Sequence, residues 1–152
     1  GALRKGFEGA GIRLPAEGGR LLVSIAQKAR EPGDAEIIRR FVELGYTIVA
    51  TPGTHVALEA EGIASERVNK IAEGSPHVLD LIAARSVNLV INTVTGPREA
   101  TDGYRIRRAA AEASVACITS LDTAAALASA LAHPAGPPRS LQEYHRMAVA
   151  AR

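Results

Sequence analysis

Short apolar runs separated by breakers organise this chain. Leu21, Leu22, Val23, Ser24 and Ile25 follow Gly18 and Gly19 and are too few for a helix, so they read as a first strand. After the breaker Glu31, Pro32, Gly33, Asp34 come Ile37, Ile38, Phe41 and Val42, a helical stripe opposite Arg39, Arg40 and Glu43 that stops at Gly45. Residues 46–51 favour extended backbone and lead into Thr51, Pro52, Gly53 and Thr54, a turn that can also open a helix. The helix it leads to covers residues 56–61 and stops at Gly62. A weak third strand is expected around residues 68–71, and Ser75 and Pro76 then read as N-cap and first position of a helix with Val78, Leu79 and Ile82 inward. Leu89, Val90 and Ile91 are consecutive and apolar, as in a strand covered on both faces, and Asn92 to Pro97 close it. Residues 104–113 predict a helix and residues 115–119 a fifth strand. Ser120 caps an Ala-rich helix with Ala124, Leu127, Ala128 and Leu131 inward. Pro134, Gly136, Pro137 and Pro138 form a linker, and Ser140 with Glu143 has capping-box spacing for a short terminal helix.

Five strands alternating with helices imply right-handed crossovers and an α/β, Rossmann-like three-layer domain around a five-stranded parallel sheet. The expected organisation is a linker from an upstream domain over residues 1–18, the domain itself over 19–133, and a linker with a C-terminal helix over 134–152; no initiator Met precedes the opening segment. With 152 residues, 47% of them hydrophobic, there is enough for one core. A net charge of +2 is too small for a polyanion-coating protein, and 3% aromatics with no Trp removes the stacking platforms of single-strand binders, so no nucleic-acid partner is expected. The single cysteine, Cys117, excludes an internal disulfide framework and a multi-cysteine zinc site, which suits a reducing, cytoplasmic setting. No run approaches the roughly 18 apolar residues of a membrane span, and the opening lacks the apolar region of a signal peptide.

In open parallel sheets ligands collect outside the carboxyl ends of the strands. Those ends offer Ser24, then Thr51 and Thr54, then Lys70, then Asn92 with Thr93, then Thr119 with Ser120: all polar, none acidic. Hydroxyls and amides at a helix start, with one ammonium, suit a phosphate. The plainer alternative makes Thr51 or Thr54 a helix cap and Lys70 a solvated charge. Neither a P-loop nor a dinucleotide glycine motif is present, and His55, His77, His133 and His145 are too scattered for one helical face, so no metal is expected. His77 reads as helix-start packing, Asp80 as a solvated helix residue and Cys117 as a buried small hydrophobe. Arg105, Arg107 and Arg108 read as an exposed helix face or an interdomain contact.

Together, residues 19–24, Ala50-Thr51-Pro52-Gly53-Thr54, Val68-Asn69-Lys70, Glu73-Gly74-Ser75-Pro76-His77 with Asp80, Ile91-Asn92-Thr93, Ile106-Arg107-Arg108 and Thr119-Ser120-Leu121 resemble the carboxy-terminal regulatory domain of the carbamoyl phosphate synthetase large subunit, over about residues 6–147. The resemblance implies a methylglyoxal-synthase-like fold and an allosteric, non-catalytic domain, without a cofactor of its own, that binds the effectors UMP (inhibitor) or IMP (activator). It implies effector-phosphate contacts at Thr51, Thr54 and Lys70, and a nucleotide pocket lined by Ser24, Asn92 and Thr93. A further lysine after the first strand has two candidates here, Lys28 and Arg30. Val94 stands where Thr is usual, and Cys117 stands, with Thr119, on the ornithine side, where some members have Tyr. The parent enzyme so implied is a cytoplasmic, ATP-dependent ligase of pyrimidine and arginine biosynthesis that uses Mg or Mn and K. Its partners are the remainder of the large subunit and a glutaminase small subunit, and a higher oligomer is compatible with it. The alternative is a free-standing methylglyoxal synthase, a lyase on dihydroxyacetone phosphate. Members of that class carry a Gly-Gly-Asp run after the third strand, and this chain has Glu73-Gly74-Ser75-Pro76 there.

Overall fold

A computed structural model describes residues 18–26, 31–93 and 96–133, the first five of the last stretch by backbone alone. Within them β1 (Arg20–Ile25), α1 (Asp34–Glu43), β2 (Thr47–Ala50), α2 (Pro52–Ala60), β3 (Glu66–Arg67), a 3-10 turn (Ile71–Glu73), α3 (Val78–Ala83), β4 (Leu89–Thr93), α4 (Gly96–Ala113), β5 (Ala116–Ile118) and α5 (Leu121–Ala132) follow one another. The strands form one parallel sheet in the order β3-β2-β1-β4-β5. The chain therefore winds outward from β1 to β3, crosses back to β4 beside β1, and winds outward again. The reversal falls between β1 and β4, the switch point at which sheets of this kind open a crevice.

Strand alternation sorts the core into two layers. Leu21, Val23 and Ile25 of β1 join Ile48, Leu89 and Ile91 against Ile38 and Phe41 of α1, Leu58 of α2 and Leu127 and Leu131 of α5. Leu22, Val49 and Val90 face the other way, onto Val78 and Ile82 of α3 and Ile106 and Ala110 of α4. The two layers make the α/β, three-layer architecture that the alternation of elements implied. α1 ends where Gly45 takes φ 98°, a left-handed value that a side chain resists. At the amino end of the sheet the Asn88 Oδ1 accepts from the Arg20 amide at 2.8 Å, and a Cβ at Gly19 would come within 2.5 Å of that same oxygen, so the turn needs glycine.

Four sequence expectations are corrected. The third strand is Glu66–Arg67 rather than residues 68–71. Val68 still donates to the Ala50 carbonyl (2.9 Å), but the chain then curls into the 3-10 turn, so the apolar pair Val68 and Ile71 marks a turn packed on the α3–α4 layer. The helix expected from Ser75 and Pro76 begins two residues later, with His77 as its N-cap. The Asp80 carboxylate reaches back to the His77 amide (2.9 Å) and accepts from Ser75 Oγ, which fixes that start and makes Asp80 more than a solvated helix residue. α4 opens at Gly96 rather than near residue 104, because proline is tolerated in a first helical turn and Pro97 does not break it. α2 likewise starts at Pro52, ahead of residue 56. The linker and terminal helix expected beyond residue 133, with Ser140 and Glu143, lie outside the described residues.

Truncating either layer should cost what a close-packed core costs. Ile82→Ala and Leu127→Ala, both 0% exposed, are each expected to lower the urea-unfolding free energy by about 2–5 kcal/mol. Val56→Ala, on a residue 68% exposed, should change it by less than about 0.5 kcal/mol, and equal losses at all three sites would contradict the two-layer packing.

Candidate anion site at the carboxyl end of the sheet

Four polar residues are buried among the described ones, and all four belong to the carboxyl end of the sheet: Thr51, Thr54, Asn92 and Thr93. Their positions follow from register. Val23 pairs with Ala50, Ser24 with Asn92 and Ile91 with Ile118, so the next step along each strand brings Thr51, Ser24, Asn92 and Thr119 into one lateral row. The row below it on the same face is Val49, Leu22, Val90 and Cys117, which is apolar apart from the thiol. Polarity thus switches on within one pleat.

Within that row the Thr51 hydroxyl donates to Ser24 Oγ at 3.1 Å and lies 3.4 Å from Thr54 Oγ1. Although Thr51 is the N-cap residue of α2, its side chain caps nothing, which removes the plainer reading for this residue. Thr54 Oγ1 accepts from the Ile25 amide at 3.0 Å, and Thr93 Oγ1 accepts from the Ala26 amide at 3.2 Å. Those two hydroxyls hold the exit of β1 and so position the start of the following loop. Asn92 is 4% exposed, and its Nδ2 has no hydrogen-bond partner among the described residues. A buried amide left so costs about 1–3 kcal/mol, a cost that an acceptor brought by a ligand would remove.

Lys70 follows Val68 by two residues at the same end of the sheet, and its side chain is exposed and joins no ion pair among the described residues. The second basic contact expected here, Lys28 or Arg30, and Val94 lie outside the described residues. Thr119 is exposed one residue past β5, while Ser120 Oγ accepts from the Thr123 amide at 3.1 Å and caps α5 as its position implied. His77 serves its own helix start, Nδ1 accepting from the Leu79 amide at 3.2 Å.

A cavity of about 480 Å³ opens on the α1–α5 side, bordered by Thr93, Ile37 and Leu121. Its described lining carries the carboxylates of Glu31, Asp34 and Asp122, the wrong sign for a phosphate. The α3–α4 face has hydroxyls, the Asn92 amide and Lys70 at its margin, and its carboxylates, Glu73 and Asp80, are engaged by Arg67 and by Ser75 with the His77 amide. Among the described residues no group of three or more His, Cys, Asp and Glu could hold a metal, and no helix is long and apolar enough to cross a membrane.

The sequence profile of the MGS-like domain matches residues 34–119, more than half of the chain and most of this sheet. The chain belongs to the MGS-like domain family. It is 46% identical over 133 residues to the carbamoyl phosphate synthase large chain of Agathobacter rectalis, a stretch that takes in 86% of this chain. The chain spans only 12% of that protein's length. The matched MGS-like segment begins with α1 and ends at Thr119, so it contains every described site residue except Ser24.

Sequence reasoning named Glu73 and Asp80 within a motif but missed how they shape this end of the sheet. Glu73 and Asp80 each stand three residues after the start they brace, Lys70 and His77, at the spacing of a capping box. That spacing is visible in the sequence.

Cys117 is mid-strand and half-buried, and burial pushes its thiol up to about 11 despite the nearby Arg107 guanidinium. The thiol is therefore expected to stay protonated at neutral pH, with iodoacetamide at pH 8 labelling the folded chain far more slowly than the urea-unfolded chain. Equal rates would show that the strand does not shield it.

Proposed function

We propose that this chain is the allosteric domain of a glutamine-dependent carbamoyl phosphate synthetase large chain, and that the polar row at the carboxyl end of its sheet receives a nucleoside monophosphate. The similarity to a carbamoyl phosphate synthase large chain supports the domain assignment. The observation that carries the effector reading is Asn92, a buried amide without a partner among the described residues, beside the Ser24–Thr51 hydroxyl pair and at the switch point between β1 and β4. On this reading Thr51, Thr54 and Lys70 face the phosphate, joined by Lys28 or Arg30, while Ser24, Asn92 and Val94 line the rest of the nucleotide, UMP as inhibitor or IMP as activator, and Thr93, which borders the α1–α5 cavity, reaches it only past the end of β4. The domain does no chemistry; the remainder of the large chain, fed with ammonia by a glutaminase subunit, makes carbamoyl phosphate with ATP. The lyase alternative is not favoured, since the residue after Gly74 is Ser75, whose hydroxyl donates to Asp80 and supplies no carboxylate.

Calorimetric titration of the chain with UMP and with IMP tests the reading. Binding of at least one is expected, and Lys70→Ala should weaken it by about 1.5–3 kcal/mol, the range for a hydrogen bond to a charged group. Thr51→Ala should cost less, about 0.5–1.5 kcal/mol, its hydroxyl being neutral. Failure of both nucleotides to bind would refute the site, and unchanged affinity in Lys70→Ala would remove Lys70 from it.

An effector acts on the intact enzyme only through different affinity for two states of it. On the ornithine side Cys117 offers a weak thiol donor in place of a phenol, and Thr119 is left as the stronger hydrogen-bonding group. Activation of carbamoyl phosphate synthesis by ornithine in the full-length enzyme should therefore be weak, and Cys117→Tyr should strengthen it. Strong activation without the substitution would refute this account of Cys117.

A further inference from the structure

Beyond the groups that face the row, the segment from Arg67 to Asp80 is laced to itself in a way that points at Lys70. The Lys70 amide donates to Glu73 Oε1 at 2.8 Å, and the Glu73 carboxylate also accepts from the Arg67 guanidinium, its Oε2 lying 3.3 Å from Nη2. Arg67 Nη1 donates in turn to Asn69 Oδ1 (3.1 Å), and Asn69 Nδ2 donates to the Gly74 carbonyl (3.2 Å). The Asn69 carbonyl accepts from the Val78 amide at 3.1 Å, which ties the segment to the first turn of α3. Every one of these bonds is made by a neighbour of Lys70 or by its backbone, and none by its ammonium.

We infer that Glu73 is a positioning residue for Lys70: its carboxylate fixes the Lys70 backbone and engages Arg67, leaving the Lys70 ammonium without an ion-pair partner among the described residues. The inference rests on the reading of Lys70 as an anion contact. The physical reason is an asymmetry of the carboxylate, which has two oxygens and uses one on a backbone amide and the other on a guanidinium. Side-chain carboxylates placed to pair with the ammonium itself would have neutralised it. Here the negative charge of Glu73 offsets Arg67 instead, so that of Arg67, Glu73 and Lys70 the net charge left is one, and it belongs to Lys70. Fixing the backbone at Lys70 also removes part of the ordering cost that a long flexible side chain otherwise bears when it binds.

The test is a double-mutant cycle read by calorimetry on the 152-residue chain with UMP, and again with inorganic phosphate. Glu73 is 39% exposed, so its replacement leaves no buried cavity. Glu73→Ala should weaken UMP binding by about ten-fold, within the coupling range of residues in one hydrogen-bonded network, and Glu73→Gln, which keeps an acceptor for the Lys70 amide, should weaken it less. In the Lys70→Ala background Glu73→Ala should have no further effect, whereas in a Thr51→Ala background its full effect should persist. A merely structural role for Glu73 would make its effect the same in all three backgrounds, and that additivity would overturn the inference. Hydrogen exchange at the Lys70 amide supplies a second readout that needs no ligand: protection in the unmodified chain and in Glu73→Gln, and its loss in Glu73→Ala. If neither UMP nor phosphate binds the unmodified chain, the anion reading fails and exchange alone decides the clamp, an unprotected Lys70 amide in the unmodified chain overturning it.

Discussion

Strand β1 is hydrogen-bonded to β2 on one side and to β4 on the other, and both its faces are covered by helices. A strand so placed tolerates polar side chains only where it leaves the sheet, because a polar group farther in would be stripped of water without a partner. The polar row at the carboxyl end of the sheet follows from that constraint. Leu21, Leu22 and Val23 have less than 2% exposure each, and Ser24 is the first hydroxyl after them. The parallel register copies the same transition onto the neighbouring strands, so Thr51 and Asn92 turn polar at the same height.

The two faces at that height differ in charge. Toward α1 and α5 the chain presents Glu31, Asp34 and Asp122, and toward α3 and α4 it presents hydroxyls, an amide and, at the margin, Lys70, with the carboxylates of Glu73 and Asp80 engaged by Arg67, Ser75 and the His77 amide. The first turns of α1 and α5 are acidic, and so is that of α3, where Asp80 is engaged by Ser75 Oγ and the His77 amide. Those carboxylates favour their own helix dipoles, so their placement has a structural reason that is independent of any ligand.

How much of this was legible in the sequence depended on which signal each element carried. The strands buried on both faces announced themselves, since Leu89-Val90-Ile91 and Leu21-Leu22-Val23 admit little else, and the positions just after them supplied the proposed site residues Ser24, Asn92 and Thr93. β3 was misplaced because its two residues, Glu66 and Arg67, are exposed and charged and carry no apolar signal at all. The start of α3 was misplaced because Ser75-Pro76 looks like a cap, while the decisive interaction came from the Asp80 carboxylate three residues beyond the true cap. The role of Thr51 could not be read locally either: a threonine before a proline reads as a helix cap, and only the neighbouring strand shows that its hydroxyl turns to Ser24 instead.

The brevity of β3 has a consequence of its own. The outer rim of a sheet offers a row of unpaired amides and carbonyls to any passing strand, and a long, flat, apolar rim invites other chains to add to it. Here the rim is two residues long, both exposed, one acidic and one basic, with Arg20 pairing with Glu66 across the sheet and Arg67 pairing with Glu73 beyond it. Immediately afterwards the backbone turns away into a 3-10 turn. The same curl that carries Lys70 to the proposed site therefore also closes that rim to strand addition, and a domain this rich in buried aliphatic strands keeps a non-adhesive border on that side.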